Sequence, residues 1–154
     1  MIRRRLIQPF VELLRQGMSP HKIALTVALG VTLGVTPVLG STSLLCTITA
    51  IALRLNLPAI QLVNGLAWPL QLALLVPFLR LGARIFSVKA PALSVSAILA
   101  MIHAGAWHAI LTLWTATLHA LVAWLLVGAA AALSIYLLTA PLLRRVWTRE
   151  APAS

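Results

Sequence analysis

Acidic residues are almost absent from this chain. Only Glu12 and Glu150 of its 154 residues are acidic, against 12 lysines and arginines, and the formal net charge is +10. Charged residues of both signs make up 9% of the sequence, whereas soluble domains carry about 25%. Because both glutamates lie outside the apolar segments, the sequence lacks a carboxylate pair for acid–base catalysis and a carboxylate proton relay inside a membrane.

Other signatures of enzymes and metal sites are also missing. The sequence contains no Gly-x-Ser-x-Gly turn around a nucleophilic serine and no glycine-rich phosphate loop followed by lysine. Its single cysteine, Cys46, excludes an intramolecular disulfide and a cysteine-rich metal site, and we interpret it as a small packed hydrophobe. We therefore predict a protein that is not an enzyme and that uses neither a cofactor nor a metal.

Hydrophobic residues, in contrast, make up 61% of the chain, and its mean hydropathy is +1.01. This composition predicts an integral membrane protein. The basic residues flank apolar segments and are not interleaved with exposed aromatics, which favours anionic lipid headgroups over nucleic acid as a partner. Lysine and arginine collect on the cytoplasmic side of a membrane. We expect four flanking residues on that side: Lys22, Arg54, Arg80 and Arg144.

The chain divides into four parts. These are a basic amphipathic segment (1–18), a core (19–89), a C-terminal helical membrane region (90–148) and a tail (149–154). Within the first part, residues 9–17 predict a short helix in the lipid interface. Ser19 as N-cap and Pro20 at the first helical position then predict the start of the core.

The first apolar run of the core is interrupted in its middle. Its part from Ile23 to Val35 would form about 20 Å of helix, which is short for a membrane span of roughly 20 residues. The chain then breaks at "TPVLGS", and a second helix is predicted from Ser41 to Leu53. Because Lys22 and Arg54 are basic residues at the two ends, we predict a re-entrant helical hairpin, with a pair of short full spans as the alternative.

The next apolar run, Leu57 to Leu79, repeats this pattern. The motif "NGLAWP" interrupts it and predicts a second broken hairpin, with a helix beginning near Pro69. Irregular backbone at membrane depth is tolerated only where it is buried in protein or lines a wet cavity. Two interrupted segments in corresponding positions are typical of a transporter-like site.

The C-terminal region contains a clear membrane span from Leu121 to Leu143, with Trp124 and Trp147 near its ends as expected for interface anchors. Residues 94–105 predict a helix that could lie in the interface. Whether residues 106–120 form a further crossing stays open. The fold class predicted overall is all-α: an interfacial N-terminal helix, two re-entrant-like hairpins and a C-terminal transmembrane helical region.

Two sets of small or polar residues are predicted, each on one face of its own helix. Thr26, Gly30 and Gly34 recur every four residues, a spacing that lets membrane helices pack closely, although direct contact with a substrate is the alternative. A polar stripe, defined as His108, Thr112, Thr115 and His119, lies on one side of a later helix. Its histidines are about 16 Å apart along the axis, too far to share a metal ion. The stripe is either the wet side of an interfacial helix or a wet bundle interior in which histidine can titrate near neutral pH.

The two predicted hairpin tips suggest a binding site for an anion. Each would expose a helix N-terminus, whose free N–H groups carry roughly half a positive charge. The alternative is that the tips cap each other. The candidate substrate-binding residues are Pro37, Gly40, Ser41, Thr42, Ser43, Arg54, Asn64, Pro69 and Gln71.

The stretches "SPHKIALTVALGVTLGVTPVLG" and "ALRLNLP", followed by a proline eleven residues later, resemble the bacterial family called domain of unknown function 2062. The resemblance covers about residues 17–86. Pro37 and Gly40 match the family's Pro-x-x-Gly motif, with Thr42 and Ser43 in place of Gln-Thr. Pro69 matches the proline of a Ser-Asn-Pro-x-Thr motif.

In that second motif, Ala67, Trp68 and Gln71 stand where the family has Ser, Asn and Thr, so an activity that needs those residues would be altered or lost. The resemblance implies a multi-pass protein of the bacterial inner membrane, and we expect both termini in the cytoplasm. Some family members are fused to glycosyltransferase domains.

Two functions are therefore predicted. The first is binding or passive movement of a small anionic solute or lipid headgroup through the broken-helix core. The alternative is a non-catalytic scaffold or partner subunit for an envelope or lipid-linked glycosyltransferase system. Neither the membrane protein partner nor the oligomeric state follows from the sequence.

Overall fold

The computed structural model describes residues 18–91 and 94–149, and every regular element within these ranges is an α-helix. The helices are α1 (Pro20–Gly34), α2 (Thr42–Leu53), α3 (Leu57–Ile85), α4 (Val95–Ala104) and α5 (Ala106–Arg149). The predicted all-α class is therefore confirmed. The helix predicted for residues 9–17, the tail from residue 150 onward and the side chain of Trp147 lie outside the described part.

Helices α1 and α2 form a hairpin. The Ser19 side chain accepts a hydrogen bond from the Lys22 amide (3.4 Å), and Pro20 begins α1, as predicted. After α1 the chain turns through residues 35–41, where Pro37 disfavours helix in the residue before it and Gly40 takes a φ of +86°. The chain then returns to the end of the molecule where α1 begins. The hydrogen bond from Lys22 Nζ to the Arg54 carbonyl, 3.1 Å long, shows this return.

Helix α3 contradicts the second predicted hairpin. It runs without interruption for 29 residues and contains both Pro69 and Pro77. A proline inside a helix removes one hydrogen bond and crowds the carbonyl four residues earlier. For Pro69 that carbonyl belongs to Gly65, and packing of α3 against α1 and α5 holds the remaining turns together. No helix therefore begins near Pro69.

The continuous α3 also separates residues that were predicted to lie together. Its 29 residues span about 43 Å. Arg54 precedes its first turn and Arg80 lies near its last. The prediction that Arg54 and Arg80 both lie on the cytoplasmic side is therefore incompatible with an α3 that crosses the membrane.

Residues 106–120, for which a further crossing was left open, belong to the same 44-residue helix α5 as the predicted span. This helix joins α4 at Gly105, whose φ is +144°. By length and composition, α3 and residues 106–145 of α5 are the two described helices that could cross a membrane.

Trp124 is not an interface anchor, contrary to the prediction. Its side chain is 8% exposed, and its Nε1 donates to the Thr32 carbonyl at 2.9 Å. The Thr36 amide, which would serve that carbonyl in a longer helix, donates to Leu33 instead. The indole therefore satisfies a carbonyl left open by the end of α1.

Helix α1 lies at the centre of the molecule, in contact with α2, α3 and α5. No residue from Lys22 to Val38 is exposed. Helix α3 runs parallel to α1, since Ala59 packs with Met18 and Ile23 while Gln71 reaches Thr36.

Helix α5 runs in the opposite direction. Trp124 lies beside Thr32, Tyr136 bonds to His21, and Leu143 packs with the cluster at the start of α1. The start of α1 and the end of α5 therefore share one end of the molecule. We call it the base, and it contains Met18, Lys22, Arg54, Ala59 and Leu143. The opposite, distal end carries Arg80, Arg84 and Lys89.

Candidate functional site

The face of α1 formed by Thr26, Gly30 and Gly34 packs against neighbouring helices. A Cβ on Gly30 would lie 2.7 Å from Val63 Cγ1, and one on Gly34 would lie 2.8 Å from Ala67 Cβ. Thr26 is fully buried, and its hydroxyl donates to the Lys22 carbonyl at 2.8 Å. These residues thus allow α1 and α3 to approach closely, and they line neither of the cavities found at the distal end.

Polar side chains connect α2 to α3. Gln61 Nε2 donates to the Ser43 carbonyl at 2.8 Å and to Thr47 Oγ1 at 2.9 Å. Asn64 Nδ2 lies within 3.4 Å of Ser43 Oγ and 3.3 Å of Gln61 Oε1. Two candidate binding residues, Ser43 and Asn64, therefore hold the hairpin against α3, together with Gln61, which was not predicted from the sequence.

The hairpin tip contains the other candidate residues of this region. Ser41 Oγ donates to the Val38 carbonyl at 2.9 Å and does not cap α2. Thr42 is buried, whereas Gly40 is exposed and has no atom within 4 Å of the position a Cβ would occupy. The tip thus has an open backbone at Gly40, and its serine hydroxyl is already engaged.

The remaining predicted residues do not gather at the tip. Arg54 lies at the base, beyond the 12 residues of α2, about 18 Å away along that helix. Pro69 is exposed on α3, and Gln71, 2% exposed, donates to the Thr36 carbonyl at 2.9 Å. Because the second predicted tip lies inside the continuous α3, the predicted anion site between two tips is not formed.

A cavity of about 180 Å³ lies at the distal end instead. We call its polar side the polar wall. It consists of Lys89, which follows α3, and three residues of the polar stripe: Thr112, Thr115 and His119. His119 stacks on Phe86 with ring centres 4.3 Å apart, and His108 is exposed outside the lining. The lining residues are Leu79, Ala83, Val88, Lys89, Pro91, Thr112, Thr115, Ala116 and His119.

The polar wall offers both donors and acceptors. Thr112 donates to the His108 carbonyl at 2.9 Å, and Thr115 donates within α5 as well, so these hydroxyls keep only their oxygen lone pairs for a ligand. The donors that remain are the Lys89 ammonium and the His119 ring. Since both glutamates of the chain fall outside the described ranges, no carboxylate within them offsets the charge of Lys89.

A second cavity of about 340 Å³ adjoins the first and shares Leu79, Pro91 and Ala116 with it. Thr117 is the one polar side chain in its lining, and its hydroxyl donates to the Leu113 carbonyl at 2.8 Å. The hairpin tip forms one wall of this second cavity. The residues that line the cavity are Pro37, Val38, Leu39, Leu75, Leu79, Pro91, Leu113, Trp114, Ala116 and Thr117. We call the two cavities together the distal groove.

The sequence profile of the family DUF2062, described as an uncharacterized protein conserved in bacteria, matches residues 3–151. The chain belongs to this family. The match extends well beyond the residues 17–86 that carried the resemblance. Comparison with curated proteins and with solved structures found no match.

In this family member the two motif regions lie side by side. Pro37 and Gly40, from the first motif, form the hairpin tip, and Gln71, from the second, bonds to Thr36 directly before it. Pro69 faces away on the exposed side of α3. The Gln71 contact therefore fixes the tip at a point about 21 Å along α3, close to half the length of that helix.

Proposed function

We propose that this protein lies in the bacterial inner membrane and binds a ligand carrying a small anionic group in the distal groove. In this arrangement α3 and α5 cross the membrane, and the α1–α2 hairpin enters from the base and turns near mid-depth. The position of the tip halfway along α3 supports a re-entrant hairpin over two full spans.

The distribution of basic residues supports a cytoplasmic base. Lys22, Arg54, Arg144 and Arg145 flank helix ends at the base, and in the sequence Arg15 and the Arg3–Arg5 cluster precede α1 by fewer than 20 residues. The distal end has Arg80, Arg84 and Lys89. Because basic residues near helix ends favour the cytoplasmic side, both termini are assigned to the cytoplasm.

The observation that carries the binding proposal is the polar wall of the groove. Lys89 and His119 face one cavity from different elements, and no carboxylate in the described ranges competes for them. An exposed cation beside a cavity, with no carboxylate in the described ranges to pair with it, favours an anionic ligand.

Binding is better supported than movement across the membrane. Below the groove, Phe78, Trp124 and Val35 pack with small residues of α3 and α5 into one buried cluster. This cluster and the central α1 lie on the base side of the groove. The proposal is therefore a binding protein whose site opens at the distal side.

A thermal unfolding experiment on the detergent-purified protein tests this proposal. We expect short-chain phosphatidic acid to raise the unfolding midpoint more than phosphatidylcholine does. A ligand present at 100 times its Kd stabilises a protein by about 2.7 kcal/mol. Lys89→Gln should remove most of this difference, because it deletes the cation of the polar wall.

Arg80→Gln is the matched control, since Arg80 is an exposed cation of the distal end that does not line the groove. It should keep the phosphatidic acid effect. If both variants lose the phosphatidic acid effect equally, the effect comes from general surface charge and not from a specific site. No headgroup preference in the unaltered protein would reject binding and favour the scaffold alternative.

A further inference from the structure

We infer that the ligand of the distal groove is a membrane lipid with a phosphate-containing headgroup, bound with a hydrocarbon chain in the apolar cavity. This inference rests on the proposed function and adds the substrate class to it. The chemistry of the two adjoining cavities and their order along α3 carry it.

The two cavities follow one another along α3. Leu75 lines only the apolar cavity, Leu79 lines both, and Ala83 lines only the polar one. These positions are one helical turn apart, so along α3 the apolar cavity is displaced by about 6 Å toward the middle of the molecule. Along α5 the two linings overlap between Thr112 and His119, so there the cavities lie side by side. The wall of the apolar cavity at the hairpin tip extends it further toward the middle of the molecule. A lipid has the same order, with a headgroup at the surface and a chain pointing inward.

The apolar cavity has little to offer a water-soluble anion. The hydroxyl of Thr117, its one polar side chain, is already bonded to the Leu113 carbonyl. Apolar side chains that line an open groove gain by covering their surface with an apolar ligand. A hydrocarbon chain is therefore the group that matches this half of the groove.

The rim of the apolar cavity faces the surroundings of the protein. Leu39 at the hairpin tip is 57% exposed and Trp114 on α5 is 61% exposed, and both line the cavity. In the proposed arrangement these side chains meet the lipid of the distal leaflet. A lipid can then enter from the side, with its chain remaining in an apolar environment throughout.

The polar wall indicates the kind of headgroup. Lys89 and His119 can donate to phosphate oxygens, whereas the oxygens of Thr112 and Thr115 can only accept. A headgroup that combines phosphate oxygens with an O–H donor satisfies both sets. Phosphate monoesters and phosphodiesters that carry free hydroxyls meet this requirement, but phosphatidylcholine, which has no O–H group, does not.

Photo-crosslinking in phosphatidylcholine nanodiscs tests the inference. The probe is phosphatidic acid with a diazirine near the end of one acyl chain, and adducts are mapped by peptide mass spectrometry. We expect adducts on residues 37–39 and 113–114. Lys89→Gln should reduce them at least tenfold, as should excess unlabelled phosphatidic acid, whereas Arg80→Gln should leave them unchanged.

A second variant distinguishes binding of the acyl chain from binding of the headgroup. Leu39→Trp places a larger side chain at the rim of the apolar cavity and should reduce the chain adducts, with the thermal stabilisation by glycerol 3-phosphate unchanged. Leu44→Trp is its control, because Leu44 is 63% exposed on α2 and lines neither cavity.

Three other results would overturn the inference in distinguishable ways. If glycerol 3-phosphate stabilises the protein as strongly as phosphatidic acid and no chain adduct maps to the groove, the ligand is a soluble anion and the proposed function survives. If a phosphatidylcholine probe labels the same residues equally, the adducts come from surrounding lipid. If neither anion stabilises the protein, the proposed function itself fails.

Discussion

At the residue scale, two glycines of α3 have opposite surroundings. A Cβ on Gly82 would collide with the backbone carbon and oxygen of His119, so α3 and α5 cross there in backbone contact. A Cβ on Gly65 would meet no atom within 4 Å. Gly82 thus permits the crossing beside the distal groove, and Gly65 makes no such contact.

We expect Gly82→Ala to destabilise the protein by about 1–3 kcal/mol, because the added methyl group forces two helix backbones apart. The same variant should weaken headgroup binding, since His119 moves with α5. Gly65→Ala should be neutral or stabilising by up to about 1 kcal/mol, since alanine favours helix over glycine. Thermal unfolding of both variants measures this difference, and equal effects would contradict the close crossing.

The sequence predicted residues whose roles are local. Ser19 and Pro20 begin α1, and Arg54 follows the end of α2, because caps depend on neighbours within a few positions. The partners of Gln71 and Trp124 could not be predicted in this way. Both donate to carbonyls of the α1 end that are 35 and 92 residues away in the chain.

At the element scale, the first interruption breaks the helix and the second does not. At the tip, Pro37 and the left-handed Gly40 lie three residues apart, and the chain reverses between them. In α3, Pro69 removes a single hydrogen bond, to a glycine carbonyl, while both neighbouring helices pack along it. The two motifs resemble each other in the sequence, but only the tip combines proline with a glycine in the left-handed conformation.

A substitution at Pro69 tests the continuity of α3. Pro69→Ala restores a backbone donor inside the helix, where alanine is favoured over proline by about 3 kcal/mol in a helix interior. We expect a higher unfolding midpoint and unchanged binding of phosphatidic acid, because Pro69 lines neither cavity. A lower midpoint together with lost binding would indicate that Pro69 begins a separate helix, as the sequence pattern had predicted.

At the scale of the whole molecule, the base brings together the start of α1, the start of α3 and the end of α5. The sequence predicted that Lys22 and Arg144 share one side, because basic residues flank both apolar segments. The distal groove was not predicted. Lys89 reaches the polar stripe only because the chain turns at Ser87, which has a φ of +54°, and that turn has no glycine to mark it.

The proposed membrane arrangement predicts which positions a water-soluble reagent can label from each side of the membrane. In a Cys46→Ala background, Arg54→Cys marks the base, and Ser87→Cys marks the distal end just beyond α3. A membrane-impermeant maleimide is applied to intact spheroplasts and to inside-out vesicles. Position 54 should be labelled only from the cytoplasmic side and position 87 only from the periplasmic side. Labelling of both positions from the same side would contradict a continuous α3 that crosses the membrane, and with it the placement of the distal groove.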